Sequence, residues 1–447
     1  SSNFIKKFKK DGHKLTVDFS ASQNNDNENS FIAVSSADAG FNGRNQKTAN
    51  IQEQQRILVQ TDYVLPFGKA SQFEAGYRGS FTDLLTDYAV ENLQNGVFVN
   101  DPAFTNILKY EEKINALYTQ YGSKAGRFSY LLGLRWEDSN IGISQFTSQI
   151  FKAKKYNNFF PSAFLAYEFS ETSSASLSYS KRISRPRSRS INPFSSLSSN
   201  INLFRGNPDL DASLTDAFEI GYLKRWRSLT LNTSMYFNRT VDAVQYVRNT
   251  EIINNTSVLV TSPVNIGTED RFGFEFTLAY SPFKWWKLNS NFNLFRNETK
   301  GSYTYIDLNS QANQVDFGNT AYSWFTRINS RVNLPLGIDW QANATYNAPQ
   351  ANAQGRTKGI ISANLAFSKD VLKEKGTVAL NVNDLFNSRK RIVETNLPTQ
   401  NTYTEMQWRV RQVTLSFTYR FNKKKNDREK TKRTSDGDAG GEEYMGG

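Results

Sequence analysis

The stretch VTLSFTYRF, Val413 to Phe421, decides the fold. Val413, Leu415, Phe417, Tyr419 and Phe421 are apolar, and Thr414, Ser416, Thr418 and Arg420 between them are polar. Successive side chains of an extended chain point to opposite faces, so this segment is a strand with one greasy and one polar face. The same alternation runs through Phe128, Tyr130, Leu132, Leu134 and Trp136, and through Phe272, Phe274, Phe276, Leu278 and Tyr280. It returns in Ile338, Trp340, Ala342, Ala344 and Tyr346. About 14 to 16 segments of this kind are present, each near the ten residues with which a tilted strand crosses a bilayer.

Composition narrows the choice. The 447 residues are only 38% hydrophobic yet 14% aromatic, with 33 Phe, 21 Tyr and 7 Trp. Disordered chains are poor in aromatics, and soluble domains of this size carry more apolar residues. No run approaches the roughly 18 apolar residues of a membrane-spanning helix. Alternation by itself suits either a soluble sandwich or a membrane barrel. The aromatics favour the barrel: Trp136, Tyr280, Trp285, Trp286, Trp340 and Tyr346 stand near the ends of alternating runs, beside charged or turn residues. That is where a membrane girdle places them. Tight connections such as Ser281 to Lys284 alternate with long polar gaps near 21–50, 83–109, 185–212, 298–320 and 388–404. The expected fold is therefore all-β, an antiparallel transmembrane β-barrel over residues 1–421 in contact with membrane lipid. Residues 422–447 begin NKKKNDREKTKR, lack periodicity and are expected to form a charged, Gly-rich disordered tail.

Several chemistries are excluded. The chain has no Cys and a single His, His13, so thiol catalysis and any zinc site built on two histidines are ruled out. No G-x-x-x-x-G-K, G-x-G-x-x-G or G-x-S-x-G occurs, and an enzyme with a bound cofactor is not expected. Asp26, Glu28 and Asp38 lie in an oxygen-rich segment, but their spacing fits no calcium loop, so no metal is expected. The net charge of +12 is spread over turns, polar faces and the tail, which does not mark a nucleic-acid surface. The chain opens at Ser1 without a signal peptide, as a mature form or a piece of a longer chain would.

Blocks of the sequence add a resemblance. NNFFPSAFLAYEFSETSSASLSYSKRISRP at 157–186, INPF at 191–194, RGNPDLDASLTDAFEIGY at 205–222, NVNDLFNSRK at 381–390 and WRVRQVTLSFTYRF at 408–421 resemble the C-terminal barrel of Bacteroidota TonB-dependent-receptor-like outer-membrane proteins. The resemblance implies a place in the outer membrane, within a 22-stranded barrel filled by an N-terminal plug and coupled to a TonB-type energy transducer. It implies that Phe417, Tyr419 and Phe421 form the signal read by the barrel-assembly machinery, and that the tail is periplasmic. No plug is recognisable in residues 1–120, which read as strands, for example Leu15, Val17 and Phe19. The expected function is a receptor-type transporter that binds its ligand through extracellular loops, with a plug not in this chain. The alternative is a non-transporting barrel subunit or scaffold, docked to a surface lipoprotein or other envelope-complex subunits. Candidate ligand-binding residues are Arg182, Arg185, Arg187 and Arg189, with Asn207 and Asp209 in the rigid turn that follows. The competing reading of the same residues is that they anchor their loop against its neighbours.

Overall fold

A computed structural model describes residues 1–35, 44–68, 70–147, 149–194, 202–253, 256–306, 312–397 and 400–421. Among these residues seventeen strands succeed one another as antiparallel neighbours. They are β1 (Ser2–Lys7), β2 (Lys14–Val34), β3 (Arg44–Phe67), β4 (Ser71–Gln94), β5 (Asn106–Ala125) and β6 (Phe128–Gln145). Next come β7 (Ile150–Ser170), β8 (Ser173–Ser184), β9 (Ser213–Arg225), β10 (Leu229–Val241), β11 (Thr268–Phe283) and β12 (Trp286–Lys300). The series ends with β13 (Asn319–Leu334), β14 (Ile338–Asn347), β15 (Ile360–Val371), β16 (Gly376–Asn383) and β17 (Gln412–Tyr419). One more short strand, Val97–Asn100, folds back along the end of β4. Seventeen exceeds the about 14 to 16 expected; β1, whose six residues are too few to display an alternation, is one that the pattern does not show.

Pairing fixes which side chains share a face. Leu165, Leu177, Ile220, Met235, Phe274, Leu294 and Trp324 are register partners in turn from β7 to β13. All but Leu165 are among the exposed large hydrophobics, Ile220 at 62%. An apolar row across seven strands that points away from the protein is a surface made for lipid. The opposite face is polar: Ser178, Glu219 and Tyr236 are the corresponding partners from β8 to β10.

All even-numbered strands run from a short-turn end to a long-loop end, and odd-numbered ones return. Among the described residues the short turns are 8–13, 68 and 70, 126–127, 171–172, 226–228, 284–285, 335–337 and 372–375. At the other end β2 and β3 pair over 21 residues, from Lys14 to Val34. The gaps expected at 21–50 and 83–109 are therefore largely strand. Gln23 to Asn29 are exposed and polar on both faces, so no hydrophobic alternation betrays them. Conversely, the connection after β10 holds a hairpin, Val244–Ile253 with Thr256–Asn265, absent from the expected loops.

Buried apolar side chains gather at the long-loop end, where they form three clusters. The wall itself has edges. Among the described residues β1 pairs only with β2, and β17 only with β16. Both edge strands run toward the short-turn end.

The six expected girdle residues fall at two heights. Tyr280, Trp285, Trp286 and Trp340 stand at the short-turn end, with ring centroids of Tyr280 and Trp286 6.4 Å apart. Trp136 stands at the middle of β6, where Nε1 donates to Asn157 Oδ1 at 2.9 Å, and Tyr346 at the long-loop end of β14, 4.8 Å from Trp324. Phe417 and Tyr419 share the outward face of the last strand, Phe421 lies two residues past its end, and all three are exposed. The tail, residues 422–447, lies outside the described residues.

Candidate functional site

The loop after β8 turns inward instead of standing free. A one-turn helix, Ser188–Ile191, is followed at Gly206 by a close approach to Asn192, where a Cβ would lie 2.4 Å from the Asn192 carbonyl oxygen. Only glycine permits that contact. Asn207 then accepts from the Asp209 amide through Oδ1 at 2.9 Å, and its own amide donates to the Ser190 carbonyl at 2.7 Å. The turn read from Asn207-Pro208-Asp209-Leu210 is thus formed.

This loop brings Ile191 and Leu210 onto the inner faces of β4 to β6, against Leu84, Leu108, Tyr110, Ile141 and Ile143. Its strand Asn202–Phe204 runs parallel to Leu259–Thr261 of the hairpin after β10. Leu203, Val258 and Val260 pack there on Tyr88, Val90 and Phe104. Each buried aliphatic contributes about 1.5–3 kcal/mol. The loops after β8 and β10 thereby pack on the inner face of the wall from β4 to β6, above a polar lumen.

Ion pairs complete the attachment. Arg185 and Arg135 flank the carboxylate of Glu137, whose side chain is 9% exposed. Lys152 pairs with Asp209, and Lys154 with Asp211 at 2.7 Å. Arg205 Nη1 donates to both carboxylate oxygens of Glu251, at 3.0 and 2.9 Å. The Arg189 guanidinium lies 5.1 Å from the Phe204 ring centroid. Further along, Gln354 exchanges two hydrogen bonds with the backbone of Arg248, at 2.9 and 3.0 Å. The loops after β14 and β16 join as a four-stranded sheet. Within it Lys358 and Arg356 hold the Glu394 carboxyl below the usual carboxylate range.

Of the six candidate residues, Arg185, Arg189, Asn207 and Asp209 are thus engaged with their own loop or its neighbours. Arg182 and Arg187 are exposed; Arg182 Nε reaches Ser180 Oγ at 3.1 Å. The ion-pair partners Glu137, Lys152, Lys154 and Glu251, which bind Arg185, Asp209, Asp211 and Arg205, were not legible in sequence, because each lies 46 or more residues from its partner.

The lumen wall below is hydrophilic. Arg182, Glu219, Tyr236, Arg271, Glu275 and Asn293 line one depression, where Tyr236 donates to Asn293 Oδ1 at 3.0 Å. Tyr236 lies flat across Gly273, whose missing Cβ would meet the ring at 2.3 Å. Asn289, Asn329, Asn343 and Asn364 are register partners across β12 to β15, a row of amides facing the lumen. Such a surface hydrates polar solutes and offers donors and acceptors alike. Among the described residues no group of three His, Cys, Asp or Glu could hold a metal ion. Asp26 and Glu28 lie along β2, and Asp38 falls outside the described residues. His13 stacks on Phe8 at 4.0 Å and bonds Tyr63 at 3.0 Å.

The chain belongs to the outer membrane protein beta-barrel family, whose model matches residues 6–419. No curated protein matches it in sequence. Its fold is similar to that of the ferric yersiniabactin uptake receptor FyuA from Yersinia pestis, at a TM-score of 0.60 and 12% identity over 92% of this chain and 59% of that one. It is also similar to the siderophore receptor PiuA from Acinetobacter baumannii, with a TM-score of 0.59 and 13% identity over 93% and 63% of the two chains. The ferric-catecholate import receptor Fiu from K12 E. coli gives a TM-score of 0.62 and 13% identity over 92% and 62%. The chain thus spans about three fifths of the length of these receptors. It is a β-barrel protein of the outer membrane, with its apolar face toward lipid.

Proposed function

We propose that this chain is the wall of a receptor-type uptake barrel of the TonB-dependent kind, from the Bacteroidota branch that its sequence blocks resemble. The observation that carries the reading is the inward-folded loop cluster around Ile191, Leu210 and Val260, closed over a polar lumen. Such a mouth can hold a solute too large to diffuse and deliver it to a hydrophilic path. Arg182 and Arg187, exposed near this mouth, are the proposed ligand contacts. Phe417, Tyr419 and Phe421 are proposed to present the last strand to the barrel-assembly machinery, and the two aromatic rows to form the girdles. A plug, a TonB-type transducer and a surface lipoprotein are the partners this mechanism calls for.

The open edges support a larger barrel. Lipid cannot satisfy unpaired backbone groups, so both edges need partners. A direct pair of β1 with β17 would be parallel within an antiparallel sheet. Completion by an odd number of further strands keeps every neighbour antiparallel.

A second reading, a non-transporting barrel subunit or scaffold, draws on the ion pairs that staple the loops to the wall and to one another. Depletion of solutes from the medium separates the two. Cells carrying the protein with residues 185–212 replaced by a short Gly-Ser link should keep a folded barrel and lose uptake of a solute that the wild type removes. Ferric chelates, named for two of these neighbours, are the first to test. Equal depletion by both strains rejects the uptake reading.

A further inference from the structure

The two ends of the barrel differ in charge. Among the described residues the eight short turns hold seven Lys and Arg against three Asp and Glu, whereas the long connections, with more than four times as many residues, hold twelve against nine. Lys9, Arg227, Lys284, Lys373 and Lys375 are exposed in these turns.

The same turns present large apolar side chains. Trp226 and Trp285 are 50% exposed, Leu372 58% and Leu336 81%. Leu336 and Leu372 sit at φ of 66° and 55°, the left-handed region that bulky side chains disfavour. These tips continue the lipid-facing rows, Leu336 beyond Leu334 and Trp226 beyond Lys224, whose ammonium lies 6.0 Å from the indole centroid. Trp285 stacks on outward-facing Phe283 at 5.1 Å. The turn 372–375 is held in place: Arg420 donates to the Glu374 carbonyl at 3.2 Å and to Thr377 Oγ1 at 2.7 Å.

We propose that the short-turn rim is a binding surface for anionic phospholipid headgroups of the periplasmic leaflet. The Leu and Trp tips lie at the acyl boundary, and Arg227, Lys284, Lys373 and Lys375 meet the phosphates just beyond it. The net positive charge selects a headgroup that carries a net negative one. An acidic protein would match the charge, but it would leave outward-pointing leucines without a partner. Continuity with the lipid-facing belt favours the membrane.

Native mass spectrometry of the folded protein from outer membranes tests this, with equal phosphatidylglycerol and phosphatidylcholine in the detergent. The wild type should retain phosphatidylglycerol on the order of tenfold more. The variant Arg227→Gln/Lys284→Gln/Lys373→Gln/Lys375→Gln should retain both lipids alike, while Arg356→Gln/Lys358→Gln at the long-loop end should keep the preference. Equal retention by the wild type, or loss of preference only in the long-loop variant, overturns the proposal. Because the chain has no Cys, a spin label at Leu336→Cys reports immersion directly. Greater access to oxygen than to a water-soluble nickel chelate is expected in mixed vesicles, and the reverse overturns the assignment.

Discussion

Arg185, at the root of the loop after β8, donates through Nη2 to Glu137 and, at 2.6 Å, to Ser139 Oγ on the inner face of β6. Glu137 accepts in addition from Arg135 Nε at 2.6 Å. One buried carboxylate therefore sits between two guanidiniums, and the second of them belongs to the loop. Removing a partner from such a site leaves charge without compensation, so this contact fixes where the loop enters the lumen.

Arg185→Met should release the loop root. Arg135 remains to neutralise Glu137, so the expected loss is about 1.5–3 kcal/mol, that of a hydrogen bond to a charged group. Hydrogen exchange should quicken in 188–191 and 202–210 and stay unchanged in β6 and β8. Unaltered exchange in the loop would assign its anchoring to apolar contacts alone.

Those contacts have their own test. Leu210 is 1% exposed among Leu84, Leu108 and Ile141. Leu210→Ala should weaken the cluster by about 2–5 kcal/mol, read as proteolysis within the loop while the barrel still migrates as a folded, heat-modifiable band. Resistance equal to the wild type would mean that Leu210 does not hold the loop in.

Depth in the membrane should show in paired substitutions. Ile220→Arg, in the middle of the lipid-facing row, should cost about 2–4 kcal/mol of folding stability, and Trp340→Arg, two residues from the short-turn end of β14, about 1 or less. Equal costs in vesicle unfolding titrations would contradict the two-girdle placement.

The loop sheet has a defined acid response. Lys358 first, and Arg356 with it, lower the Glu394 carboxyl below its ordinary value. A depressed carboxyl adds stability above its unfolded pKa of about 4.3 and loses it as pH falls through the folded value. Exchange in 391–396 should therefore be flat from neutral pH down to about 5, after correction for intrinsic rates, and quicken only in stronger acid. Quickening already between 7 and 6 would remove Glu394 from that role.

Sequence revealed the wall where one face is apolar, as in β17 and β11, because alternation there is imposed by lipid. It was silent in β2 from Gln23 to Asn29, where water lies on both faces. The turn at Asn207 was legible because the bond from the Asp209 amide to Asn207 Oδ1 is local. Glu137 and the hairpin from Val244 to Asn265 were not, since their roles come from contacts between segments far apart in sequence. Arg185 carried a charge that stood out in sequence, but only its partner says that it anchors.

The most direct test of a larger receptor barrel is the distance between its two open edges. Spin labels at Phe4→Cys on β1 and Phe417→Cys on β17, in the whole protein within its outer membrane, should lie about 20 Å or more apart, since strands are spaced by about 4.8 Å and several should intervene. A separation near 5 Å, with ready formation of a disulfide between the two positions, would mean that seventeen strands close on themselves, and the account of a larger barrel would fail.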